Sequence, residues 1–200
     1  MSDLAPIIDR LTALLGPIEG EPQPLDGGIT NCNYRVLLGG ADYVVRVPGR
    51  DTELLGIDRP AEARASAMAA RVGVGPEVGA VIDDPSCLVT EFIEGSAVSS
   101  EQLREPATLA LTAAAIRSVH ECGEDLPCAF DVFRVVERYA EIHAERAGAP
   151  PDGYEEAHGV GATIEPLPVG TDHEPVPCHN DLLAANLIHD GERVRVVDWE

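Results

Sequence analysis

The chain has 200 residues, with 14 Lys+Arg against 35 Asp+Glu and a net charge of −21 at neutral pH. Every basic residue is arginine, so mechanisms that need a lysine, such as a Schiff base or a P-loop lysine, are excluded. The summed field of such a chain repels polyanions and argues against a nucleic-acid partner.

Residues 3–15 carry Leu4, Ile7, Ile8, Leu11, Leu14 and Leu15 at three- and four-residue steps, which predicts an amphipathic helix stopped by Gly16-Pro17. Two apolar, β-rich runs, 33–38 and 43–47, flank Gly39-Gly40 and predict a hairpin. Asp58 is placed to cap a helix with Pro60 in its first turn, running to Val72 before Gly73 and Gly75-Pro76. Strands follow at 78–82 and 87–93 around Asp83-Asp84-Pro85. Beyond Gly95 the pattern turns helical. One helix is expected over 106–120, with His120 closing a packed face. A second covers 131–147, with Val132, Val135, Tyr139 and Ile142 inward, and a short one lies near 153–161. Two last strands, 186–189 and 194–197, close on an Asp190-Gly191 turn. The expected class is α+β, with a β-rich lobe over 1–93 and an α-rich lobe over 94–200, and a ligand crevice between them.

No apolar run reaches 18 residues, so no membrane partner is expected. The first residues lack the basic and apolar stretches of a signal peptide, which points to the cytoplasm. Cys32, Cys87, Cys122, Cys128 and Cys178 are scattered and read as reduced thiols rather than a zinc site. The lysine-free, acid-rich composition fits a GC-rich genome and a salt-adapted surface equally.

Chemistry concentrates near the end of the chain. Cys178-His179-Asn180-Asp181 is followed by four residues and Asn186, then, after a turn, by Val196-Val197-Asp198-Trp199-Glu200. Phosphoryl transfer from ATP needs this set: one Asp for the proton of the attacking hydroxyl, and an Asn and a second Asp as hard oxygen ligands for Mg²⁺. Asp181 suits the first role, Asn186 and Asp198 the second. His179 suits bracing of the loop by hydrogen bonds.

With these motifs the sequence resembles the choline/ethanolamine kinases, in particular the bacterial choline-kinase-like branch of the aminoglycoside-phosphotransferase and protein-kinase-like superfamily. The resemblance runs from about Leu25 to Glu200. It implies a protein-kinase-like fold in two lobes, with ATP and Mg²⁺ as cofactors. Gly27-Gly28-Ile29-Thr30-Asn31 matches the family's nucleotide loop, with Gly28, Thr30 and Asn31 as candidate phosphate contacts. Arg46 stands where most kinases hold phosphate with a lysine, and Glu62 is its candidate partner. Glu91 and Ile93 would offer backbone groups to the adenine edge, and Glu200 would add a carboxylate near the metal. The implied reaction is phosphorylation of a primary hydroxyl, on choline first and ethanolamine next. An aminoglycoside or other small-alcohol phosphotransferase, and a non-catalytic nucleotide-binding remnant, are the alternatives. Related proteins continue past the position of Glu200 with further helices, so the resemblance implies a C-terminally truncated member. A quaternary ammonium is commonly held by aromatic rings, and this chain has only 4% aromatic residues and one Trp.

Overall fold

A computed structural model describes residues 4–25, 31–49, 56–146, 148–167 and 175–199. The strand order of the main sheet follows from its hairpins. β2 (Asn31–Leu38) and β3 (Ala41–Pro48) pair antiparallel in unbroken register, from Asn31 opposite Pro48 to Leu38 opposite Ala41. β4 (Val78–Asp83) and β5 (Ser86–Glu91) form a second hairpin, and β5 joins β3. β1 (Ile18–Leu25) covers the β2 edge, giving the order β1-β2-β3-β5-β4. Because side chains alternate along strands, one face carries Val36, Leu38, Val45, Cys87, Val89 and Ile82. Helix α1 (Ala5–Leu15) buries Leu4, Ile7 and Leu11 against them. Leu14, expected on the apolar stripe, is instead exposed. Gly39 sits at φ +57° where a Cβ would stand 2.3 Å from the Leu15 carbonyl, so the β2–β3 turn can dock on the end of α1 only with glycine there.

α2 (Arg59–Arg71) starts as its cap predicts: the Ala61 N–H donates to Asp58 Oδ1 at 3.0 Å. Its Met68 and Ala69, with Val74 beyond it, enter a second core with Ala115 and Val119 of α3 (Pro106–His120) and with Leu187, Val194, Val196 and Trp199. The last four belong to or follow a small sheet of β6 (Ser96–Ala97), β7 (Leu187–His189) and β8 (Val194–Val196), in that order. At Gly95 a Cβ would lie 2.6 Å from the His189 carbonyl, so the chain entering β6 passes too close to β7 for any other residue.

By its contacts the chain divides into one unit of Met1–Leu126 with Val176–Glu200 and a second of Pro127–Pro175. The second unit holds α4 (Val132–Arg146) and α5 (Tyr154–Ile164). Two expectations fail. No residue of α4 is buried, and Val132 and Tyr139 are exposed rather than inward. His120 is exposed at the end of α3, where the last turn has run past the packed face of Ala115 and Val119. Among the described residues no helix is long and apolar enough to cross a membrane.

Candidate active site

Arg46 lies on the sheet face opposite α1, in the cross-strand row Asn33–Arg46–Leu88. Glu62 is in the first turn of α2 and is only 3% exposed. A carboxylate this deep must be paired. It accepts from Arg46 Nη1 at 2.9 Å and from Arg59 Nη1 at 2.7 Å. Arg46 Nη1 also lies 2.6 Å from Asp198 Oδ1. The two form an ion pair, and this buried Oδ1 accepts no hydrogen bond among the described residues. The result is a chain of alternating charge, Arg59–Glu62–Arg46–Asp198, linking α2 to β3 and to the residues after β8. The sequence pointed to the Arg46–Glu62 pair, and the structure brings it together. It did not point to Arg59, although a three-residue step on a helix is a recognised signal for such a pair.

The loop 179–186 is held by its backbone. His179 is buried, and its Nε2 lies 2.9 Å from the Val197 carbonyl. The Asp181 N–H donates to its Nδ1 at 3.3 Å. A carbonyl on one side and an N–H on the other require the neutral ring with the proton on Nε2. The ring also rests on Trp199, centroids 4.7 Å apart. The Asp181 carbonyl accepts from Leu183 N–H at 2.9 Å and from Asn186 Nδ2 at 3.0 Å. With its amide nitrogen so used, Asn186 keeps its Oδ1 as the group to offer a ligand. Val197 N–H donates to the Asn186 carbonyl at 3.0 Å, which sets Asp198 one residue beyond the partner of Asn186. Asn180 and Asp198 adopt φ of 63° and 72°, the left-handed region that Asn and Asp tolerate better than most residues. The carboxylate of Asp181 itself is exposed.

Glu91 ends β5, with its N–H on the Glu77 carbonyl at 2.8 Å, and Phe92 N–H donates to the Asp42 carbonyl at 2.9 Å. The next N–H, of Ile93, meets no acceptor among the described residues. Asn31 opens β2 opposite Pro48 and is buried. Gly28, Thr30 and Glu200 lie outside the described residues.

A divalent metal fits what is present. Among the described residues no three His, Cys, Asp or Glu side chains converge. Asp198 Oδ1, which accepts no hydrogen bond among the described residues, and the Asn186 Oδ1 left over by its amide nitrogen are hard oxygen donors of the kind Mg²⁺ takes when phosphates complete its shell. Trp199 is buried with its indole N–H on the Val196 carbonyl at 2.9 Å, and it packs against His179.

The model of the phosphotransferase enzyme family matches residues 21–200. Ethanolamine kinase 2 of Mus musculus is 30% identical over 166 residues, covering 78% of this chain and 42% of that protein. The crystal structure of choline kinase LicA from Streptococcus pneumoniae superimposes with a TM-score of 0.84 at 23% identity, over 100% of this chain and 69% of that one. A structure of LicA in complex with AMP gives 0.78 at 23% identity, over 98% and 68%. The expected α+β, protein-kinase-like class is borne out. The chain spans about half the length of the curated relatives it matches.

Proposed function

The chain belongs to the phosphotransferase enzyme family, and from that premise we propose that it carries the nucleotide-binding and catalytic residues of an ATP- and Mg²⁺-dependent kinase. Its acceptor is the hydroxyl of a small alcohol, choline first and ethanolamine next. The observation that carries this reading is the contact of Arg46 with both Glu62 and Asp198 beside the loop of Asp181 and Asn186. The division into lobes at residue 93 is part of the same proposal.

Each residue has a task that its surroundings support. Asp181 takes the proton of the acceptor hydroxyl as that oxygen forms its bond to the γ-phosphorus and the bond to the bridging β–γ oxygen breaks. Its exposure leaves it open to an acceptor, and the two bonds on its carbonyl keep its backbone fixed. His179 holds the loop to residue 197 and does not react. Asp198 and Asn186 would hold Mg²⁺, which when bound neutralises charge on the phosphate oxygens. Arg46 offers phosphates a permanent charge with forked donors, and Glu62 fixes its direction. Gly28, Thr30 and Asn31 would cover the phosphates, Glu91 and Ile93 would meet the adenine edge, and Glu200 would stand behind the metal. The AMP held by LicA supports an adenine nucleotide, and the acidic surface favours a cationic acceptor.

The test is ADP release from MgATP with choline, ethanolamine and an aminoglycoside, beside Asp181→Asn. Choline-dependent turnover, lost in the variant, is the expected result. Turnover with only an aminoglycoside would replace the acceptor. MgATP failing both to turn over and to raise the melting temperature would overturn the kinase reading.

A further inference from the structure

Arg35 stands in the row next to that of Arg46, on the same face of the sheet. The rows run Arg35–Val44–Thr90 and Asn33–Arg46–Leu88, about 7 Å apart by strand geometry. Arg46 therefore marks the end of the face nearest Asp198, and Arg35 the end nearest the chain leaving β5. Three groups converge on the Arg35 guanidinium. Nε donates to Asp42 Oδ1 at 3.1 Å and Nη2 to Asp42 Oδ2 at 2.7 Å, a two-pronged fork. Nη2 also donates to Glu94 Oε1 at 2.8 Å. The guanidinium carbon lies 3.9 Å from the centroid of the Phe92 ring. The fork holds the Asp42 carboxyl below its ordinary range.

The segment so gripped is short and otherwise lightly held. After Glu91 the chain leaves the sheet, and by Ser96 it is in β6. The Phe92 N–H on the Asp42 carbonyl is its tie to β3, and the Ile93 N–H that follows meets no acceptor among the described residues. Arg35 clamps the same two partners, Asp42 and Phe92, through their side chains. We propose that Arg35 is a positioning residue for the nucleotide base: it fixes residues 91–94 against β3 so that the Ile93 N–H is aimed at an adenine edge, and it adds affinity for the base without touching the phosphates. This rests on the kinase reading above.

The contacts rank themselves. Glu94 is 79% exposed, so its ion pair contributes little. The Asp42 fork and the stacking on Phe92 are the effective grips.

The experiment is calorimetric binding of AMP and of Mg-tripolyphosphate, which separate base from phosphate recognition. Arg35→Met is expected to weaken AMP about tenfold and to leave tripolyphosphate within about twofold. Glu94→Gln is expected to leave both unchanged. Arg35→Lys keeps the charge without the fork, and should show the same selective loss to a smaller degree if Arg35→Met does not fold. AMP affinity unchanged in the Arg35 variants, or equal loss for both ligands, would overturn the assignment while leaving the kinase reading intact. An unaltered chain that binds neither AMP nor MgATP would remove both.

Discussion

Replacing Glu62 with Gln takes the negative charge out of the middle of the Arg59–Glu62–Arg46–Asp198 chain while keeping volume and one acceptor. Two guanidinium groups then compete for one amide oxygen. Arg46, 14% exposed, keeps Asp198. Arg59, 21% exposed, has no other ion-pair partner among the described residues, and its Nη2 is already buried without a hydrogen bond among them. Losing one partner of a buried pair costs about 3–5 kcal/mol. Partial hydration of Arg59 and the surviving contact of Arg46 bring the expected loss to about 3 kcal/mol. For a chain of this size that lowers the melting temperature by roughly 6–12 °C. Fluorescence of the single Trp199, buried on His179 in the same unit, reports the transition. Adding Arg59→Met removes the stranded charge, so the double variant should lose at least ~1 kcal/mol less than the sum of the singles. A melting temperature within about 1 °C of the unaltered chain, or strict additivity in the cycle, would refute the reasoning.

Other outcomes follow from single residues. At φ 72°, Asp198→Gly should be more stable to urea unfolding than Asp198→Ala by about 1 kcal/mol, since both lose the carboxylate but only alanine keeps the strain; the reverse order would deny the left-handed backbone. Burial pushes the Cys87 thiol up to about 11, whereas Cys32, Cys128 and Cys178 are exposed. A thiol reagent at pH 8 should therefore modify those three before Cys87, and early labelling of Cys87 would contradict its burial. The Glu192 and Arg193 N–H groups on Asp190 hold its carboxyl below the ordinary 3.8. Its folded value lies under the unfolded one, so the stability it contributes is present above 3.8 and lost as pH falls through the folded value. The gap between Asp190→Asn and the unaltered chain, followed by urea unfolding, should narrow below about pH 4; a constant gap from pH 7 to 3 would rule this out.

Local chemistry made some of this readable in advance. Asp58 and Pro60 announce the start of α2, and the paired β-rich runs around Gly39-Gly40 announce β2 and β3, because cap and turn preferences act within a few residues. β1 was hidden by Pro22 and Pro24, which suppress a strand signal. As the edge strand, with an irregular register between Glu19 and Gln23, it tolerates both. Periodicity found α4 but not its exposure, since spacing shows which residues share a face and not what covers it. At the site, the order of Asp181, Asn186 and Asp198 was plain along the chain. The contacts of Arg59, Arg35 and Asp198 were not, because each depends on a register or helix rotation fixed only by the packed fold.

The second core has a timing written into it. Met68, Ala69 and Val74 pack on Leu187, Val194, Val196 and Trp199, and the Val74 carbonyl takes both the Val196 N–H and Arg195 Nε, 121 residues further on. The first core needs nothing beyond Val89 and can close while synthesis continues. At ribosomal speeds of about 5–20 residues per second, the apolar side of α2 waits roughly 6–25 s for its partner strands. During that interval Met68 and Ala69 are open to any other apolar surface. Crowded translation of this chain is therefore where aggregation would begin, and a pause before residue 187 would lengthen the exposure.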